Sequence, residues 1–313
     1  MPRVDAAQDR VVGSILGLAL GDALGAPFEF RRAGEVPDPV PALELPWMGL
    51  PPGSTTDDTA MARSLWTSLI ATGGVLDTGD VLRRHLAWLA TAPPDVGNLT
   101  RRVLSGWRDG EPDPAHDYVA RRGPEVSAGN GSVMYCAPLG LAYAFRSVDL
   151  LESAPALSAL THADERCRTA CLAVTLAAAA LVRGIRAERA VRESLASVEG
   201  REGAEELEYL VGGAGTARPI DGPDQGFVFF TAGVALRVAG EGMPFEQGLR
   251  DVVALGGDTD TNAAVAGALL GAMYGAAALP ITWLARLQDS PAIEDEARAL
   301  ARLVIPRSSD PDS

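Results

Sequence analysis

Leu255-Gly256-Gly257-Asp258-Thr259-Asp260-Thr261-Asn262 places two glycines, two carboxylates at i and i+2, and flanking threonines ahead of a long apolar run. The glycines permit a sharp bend, and Asp and Thr accept hydrogen bonds from the first free N–H groups of the helix that follows. Capping alone does not require so many oxygens in one turn. Carboxylate and hydroxyl oxygens together suit a hard divalent cation, which takes more ligands than one turn supplies. A second acidic cluster, Ser54-Thr55-Thr56-Asp57-Asp58-Thr59, lies about 200 residues earlier, also just before a helical stretch. Either cluster alone reads as a helix N-cap favoured by the helix dipole. Together they predict one metal site closed by both.

From Thr261 to Ala285 the chain carries no charged residue. The run is long enough for a membrane span, but it is rich in Ala and Gly, contains Pro280 and lacks an aromatic belt. A buried core helix is the expectation, with no membrane involved. Ala263, Gly267, Gly271 and Gly275 recur every fourth residue along it. Gly13, Gly17, Gly21 and Gly25 do the same in a helix expected from Asp9 to Ala26, whose apolar side is Val12, Ile15, Leu16, Leu20 and Leu24. Residues four apart drift only about 40° around a helix, so each set forms a slowly winding stripe. Glycine lowers helix propensity, and a stripe of it implies close approach of another backbone. The two striped helices are expected to be core neighbours.

Between Pro27 and Thr56 runs a Pro- and Gly-rich connection, the kind of long loop that carries function. Helical patterns follow at roughly 58–72, 78–91, 99–108, 138–145, from Leu150, at 164–184, 187–198, 202–211, 227–239 and 245–255. Gly212 to Gly226 reads as loop. Only Phe227-Val228-Phe229-Phe230 invites a short strand, and no alternating run insists on a sheet. The fold class is therefore all-α, a compact single-domain bundle over 1–305, with a disordered tail over 306–313.

Composition narrows the function. A net charge of -14 with 27 Lys+Arg argues against a nucleic-acid groove, although a bound metal can invert the local sign for a phosphate-containing ligand. Cys136, Cys167 and Cys171 form no disulfide framework, which points to the cytoplasm, and no signal peptide is visible. A monomer is expected.

Other candidates have bland and functional readings. Gly129-Asn130-Gly131-Ser132 is either an ordinary helix-entry turn or a loop whose N–H groups cradle a phosphate. His162 is either structural or a ligand contact. With Cys167 and Cys171 it also invites a zinc reading that lacks a fourth ligand. Glu29 and Asp95 are acid/base candidates by position.

Gly17-Leu-Ala-Leu-Gly-Asp-Ala-Leu-Gly-Ala-Pro-Phe-Glu29, Thr56-Asp57-Asp58-Thr59, Pro94-Asp95-Val-Gly, Gly129-Asn-Gly-Ser-Val-Met134, Thr161-His162 and Gly256-Gly-Asp-Thr-Asp-Thr261 occur in this order. In this combination the chain resembles the ADP-ribosylglycohydrolase family over about residues 10 to 290. The resemblance implies an all-α fold with a metal-containing cleft holding two divalent cations, Mg²⁺ or Mn²⁺. It implies Thr56, Asp57, Asp58, Asp258, Asp260 and Thr261 as metal ligands, and Glu29 and Asp95 as the catalytic carboxylates that transfer the proton, with acid and base left open between them. Gly129, Asn130, Gly131, Ser132, Met134 and His162 would hold the ADP-ribose. Tyr135 stands where many members carry Arg. The implied activity is hydrolysis of an ADP-ribosyl bond at the anomeric carbon of the distal ribose, in a modified protein or a small conjugate. A non-catalytic ADP-ribose-binding protein, or a hydrolase of another ribosyl compound such as O-acyl-ADP-ribose, are the alternatives.

Overall fold

A computed structural model describes residues 4–304 apart from 124–125, 147–148 and 214–217, with only the backbone of residues 4 and 5. Among the described residues it is all-α, fifteen helices with one two-stranded ladder. The centre is the pair α1 (Val4–Gly25) and α13 (Thr259–Tyr274). They run antiparallel, and each step of four along α1 meets a step of four back along α13. A Cβ on Gly13 would lie 2.5 Å from the Gly271 carbonyl oxygen, one on Gly17 2.2 Å from that of Gly267, and one on Gly21 2.0 Å from that of Ala263. The stripes read from the sequence therefore interlock, backbone against backbone. The Ser14 hydroxyl reinforces the seam by donating to the Ala268 carbonyl at 2.8 Å.

Around this pair pack α11 (Val228–Gly240) and α12 (Phe245–Ala254) on α13, and α15 (Ser290–Val304) on α1. A second layer is built on α8 (Glu165–Val182), which carries α6 (Ala137–Tyr143), α7 (Leu150–Ser158) and α9 (Ala187–Ala196). The helices α2 (Asp57–Ala71), α3 (Thr78–Leu89), α4 (Asn98–Arg108) and α5 (Pro114–Arg122) form the third side, and α10 (Ala204–Val211) closes against α11. The helix α14 (Ile281–Leu284) is a single turn. The 23-residue segment Ala6–Phe28 is apolar and long enough to cross a membrane, and 94% of its most apolar window is buried in the core. The segment expected to be a core helix, Thr261 to Ala285, is one only in its first part, α13, which is buried almost along its whole length. At Gly275, with φ 83°, the helix ends, and a 3-10 turn (Ala276–Ala278) and the partly exposed α14 follow.

Three further features differ from the sequence expectation. Phe227 makes only an isolated bridge to Gly129, and the residues after it are helical, so no strand forms there. Two helices were not anticipated, α5 and α15. The ladder was also unforeseen: β1 (Arg31–Arg32) pairs antiparallel with β2 (Gly256–Gly257), Arg31 opposite Gly257. Both glycines have positive φ, at 69° and 77°. A Cβ there would meet Ala33 N at 2.5 Å and the Ile220 oxygen at 2.4 Å, so the close crossing admits no side chain. Residues 306–313, expected as a tail, and 214–217 of the expected loop lie outside the described residues.

Candidate active site

The helix seam delivers the two acidic turns to one place. Asp22 on α1 is fully buried, and its carboxylate accepts the Thr56 N–H and the Thr59 N–H at 3.0 Å and the Thr59 hydroxyl at 2.5 Å. These bonds fasten the first turn of α2, where Thr56 Oγ1 caps the helix by accepting the Asp58 N–H at 3.2 Å. From the other side, Thr261 Oγ1 donates to the Asp58 carboxylate at 3.3 Å. The two clusters, distant in sequence, thus share a hydrogen bond. The β1–β2 ladder and the Phe30 N–H bond to the Gly257 carbonyl, 2.7 Å, hold Glu29 over the same spot. The Gly97 N–H donates to Asp57 at 3.3 Å, bringing the turn of Asp95 alongside.

The result is a cleft of about 270 Å³ lined by Glu29, Asp57, Asp95, Asp258, Asp260 and Thr261 on one side and by Gly129, Asn130, Gly131, Met134 and His162 on the other. Carboxylate oxygens of Glu29, Asp95 and Asp260 lie within 4.8 Å of one another. Such crowding favours protons. Burial, then the charges of Asp95 and Asp258, push Glu29 up to about 8, while a side-chain hydrogen bond from Trp47 opposes the shift. Burial and then Asp95 carry Asp57 well above the usual carboxylate range. Burial followed by Asp22 does so for Asp58, and burial followed by Asp258 and Glu29 for Asp260. Burial also raises Asp95. Asp58 Oδ1 and Asp260 Oδ1 are buried without a hydrogen-bond partner. Unpartnered hard oxygens amid surplus negative charge fit a divalent cation, which satisfies both needs.

The candidates differ in placement. Thr56 and Asp58 sit in the floor behind the cleft lining. The Ser132 hydroxyl does not face the cleft: it accepts the Ser158 hydroxyl at 2.9 Å and the Cys171 thiol at 3.4 Å. The Asn130 N–H is taken by the Gly226 carbonyl at 3.0 Å, while its side-chain amide donates to Asp258 at 2.9 Å and to Thr231 at 3.1 Å. Gly131 has a plain steric reason, since a Cβ there would lie 2.7 Å from His162 Cε1. Tyr135 is fully buried and lies outside the cleft lining. The zinc reading fails on geometry. Among the described residues the His, Cys, Asp and Glu groups that come within reach of one ion are Glu29, Asp95 and Asp260, while Cys167 donates to the Gly129 carbonyl at 3.2 Å and His162 Nδ1 bonds Thr161 at 3.0 Å.

Asp22, Thr231 and Phe30 are contributors that the sequence reading passed over. Asp22 did carry a signal, a lone carboxylate inside a glycine-striped apolar helix. Phe30 is exposed on the cleft lip with φ 61°. Nothing in its sequence context marks it.

The family model for ADP-ribosylglycohydrolase matches residues 3–310. An ADP-ribosyl-[dinitrogen reductase] glycohydrolase of Rhodospirillum rubrum is 33% identical over 283 residues, covering 89% of this chain and 90% of that protein. An ADP-ribosylarginine hydrolase of Pseudomonas putida is 28% identical over 316 residues, covering 94% and 78%. A solved structure described as an ADP-ribosylglycohydrolase-related protein complex matches with a TM-score of 0.79 and 36% identity, covering 96% of this chain and 100% of the other. The chain belongs to the ADP-ribosylglycohydrolase family, hydrolases that act on glycosyl bonds.

Proposed function

We propose that this enzyme is a divalent-cation-dependent hydrolase that releases ADP-ribose from a modified protein side chain, with an arginine linkage as the first candidate. The observation that carries the reading is the convergence of Glu29, Asp95 and Asp260 within 4.8 Å in one cleft, with unpartnered carboxylate oxygens on Asp260 and on the buried Asp58 behind its lining. The naming of relatives as hydrolases of ADP-ribosylarginine supports the acceptor. So does the acidic lining, which complements a guanidinium leaving group.

Thr56, Asp57, Asp58, Asp258, Asp260 and Thr261 would hold two ions, Mg²⁺ or Mn²⁺. When bound, these would supply positive charge that orients the vicinal hydroxyls of the distal ribose. Glu29 and Asp95 flank the anomeric carbon, where a carboxylate stabilises oxocarbenium character and carries the proton to or from the leaving nitrogen. Asp22 and Asn130 hold the acidic turns still. His162, Gly131 and Met134 line the opposite wall, against which the ADP-ribose diphosphate lies. Three buried free cysteines support a reducing, cytoplasmic setting.

The test is release of ADP-ribose from arginine-, serine- and acetyl-linked conjugates in Mg²⁺, Mn²⁺ or EDTA. Cation-dependent release from the arginine conjugate is expected. Release that persists in EDTA would overturn the metal assignment, and cation-dependent binding of ADP-ribose with no release from any conjugate would make the chain a binding protein.

A further inference from the structure

We propose that Tyr135 and Thr161 form a buried hydroxyl relay that fixes the tautomer of His162, so that its Nε2–H donates into the cleft. Tyr135 and Thr161 are both fully buried. The Tyr135 hydroxyl lies 3.0 Å from Thr161 Oγ1, which in turn lies 3.0 Å from His162 Nδ1. The far edge of the imidazole faces the cleft against Gly131, where a Cβ would sit 2.9 Å from Nε2 and 2.9 Å from Thr100 Oγ1. Tyr135 is itself held from behind, because His85 packs edge-on against its ring with centroids 5.0 Å apart.

Proton counting decides the direction. Burial pushes His162 down to about 3, so the ring is neutral and carries one N–H. Two orders are open. In one, Tyr135 donates to Thr161, Thr161 donates to His162 Nδ1, and the ring N–H is on Nε2. In the other, Nδ1–H donates to Thr161, Thr161 to Tyr135, and Tyr135 to the Leu157 carbonyl at 3.3 Å. Both orders use the same two 3.0 Å bonds, and the second only adds the longer one to the Leu157 carbonyl, which already accepts the Leu160 N–H at 3.2 Å; the first order therefore leaves no backbone acceptor bare. The cleft supplies the second argument. Its wall is crowded with carboxylate acceptors, and the Asn130 amide donates to Asp258 and Thr231. A diphosphate-containing ligand needs donors, and Nε2–H is one supplied without adding a charge. Tyr135 is therefore a positioning residue, acting through Thr161 from outside the cleft. The inference rests on the proposed function for the identity of the ligand and for the argument from its diphosphate.

The experiment is ¹⁵N–¹H NMR of the full chain with labelled histidine, in the ligand-free state and with ADP-ribose. His162 is expected as the Nε2–H tautomer in both. Tyr135→Phe, which keeps the ring, and Thr161→Val should convert it to a mixture or to Nδ1–H and weaken ADP-ribose binding about tenfold, as for one lost hydrogen bond. Thr161→Ser restores the hydroxyl and should restore the tautomer, which covers the case in which a variant folds poorly. An Nδ1–H signal in the wild-type chain, or an Nε2–H signal unmoved by Thr161→Val, would overturn the relay. Failure of ADP-ribose to bind the wild-type chain would count against the functional reading alone, since the ligand-free spectrum still decides the relay.

Discussion

The side-chain amide of Asn130 donates to the carboxylate of Asp258 at 2.9 Å, joining the glycine loop on one wall of the cleft to the acidic turn on the other. The same amide reaches Thr231, whose hydroxyl donates to Asn262 Oδ1 at 2.7 Å. Asn130 thus orients a proposed metal ligand without touching the metal itself. Replacing such a partner typically costs 10–100-fold in metal affinity or activity. Asn130→Ala should weaken Mn²⁺ binding, measured by calorimetry, by about that factor. Unchanged affinity would place Asp258 outside the metal shell.

Asp22→Asn should damage the site from below. The carboxylate accepts three donors from the Thr56–Thr59 turn, whereas an amide presents one acceptor oxygen and brings donors of its own. Stranding a buried donor costs about 1–3 kcal/mol. A lowered Tm together with weaker Mn²⁺ binding is expected. Loss of stability with metal affinity intact would show that α2 is held in place by other means.

Glu29→Gln and Asp95→Asn should lower turnover by about 10²–10⁴-fold while leaving the Kd for ADP-ribose within a few-fold. Equal losses in both quantities would remove the acid/base assignment and leave these residues as binding groups.

The metal-free protein should become less stable as pH rises from about 4 to about 8. Glu29 titrates near 8 in the folded chain against a usual 4.5, and Asp22 near 6 against 3.8. Between those values the folded state holds more protons than the unfolded one, and stability then falls with rising pH. A divalent cation competes with protons for the same oxygens and should restore Tm most at the alkaline end. Calorimetry in EDTA and in Mn²⁺ checks this. A Tm that rises across the window in EDTA would contradict it.

Gly21→Ala should cost about 1–3 kcal/mol or more, because its methyl would lie 2.0 Å from the Ala263 carbonyl oxygen in a seam with no slack. Gly34→Ala, where nothing lies within 4 Å, should stay within about 0.5 kcal/mol. Chemical denaturation separates the two.

Much of this was legible in the residues. The four-residue spacing of glycines announced the α1–α13 contact because only backbone proximity rewards glycine inside a helix. The paired acids announced that the two turns would meet, because carboxylates are seldom gathered without a counter-charge. The amphipathic helix α15 was equally readable, with Ile293, Ala297, Leu300, Ala301 and Val304 on its buried side. So was the Asp113-Pro114 start of α5, an N-cap followed by proline at the first position. The β1–β2 ladder was not readable. Two residues per strand leave no period to detect, and the pairing is dictated by where α1 and α13 end. The inward turn of the Ser132 hydroxyl likewise depends on Ser158 and Cys171, which only the fold brings near.

The antiparallel seam also acts as a ruler. Its notches come every four residues, and Asp22 and Asp260 sit at fixed marks on the two scales. Sliding α13 by a single notch along α1 would displace Asp260 by about 6 Å, more than side-chain rotation can make good. The catalytic gauge of this enzyme is therefore set in its backbone, and calibration is an all-or-none property: the chain holds the right notch or has no site at all.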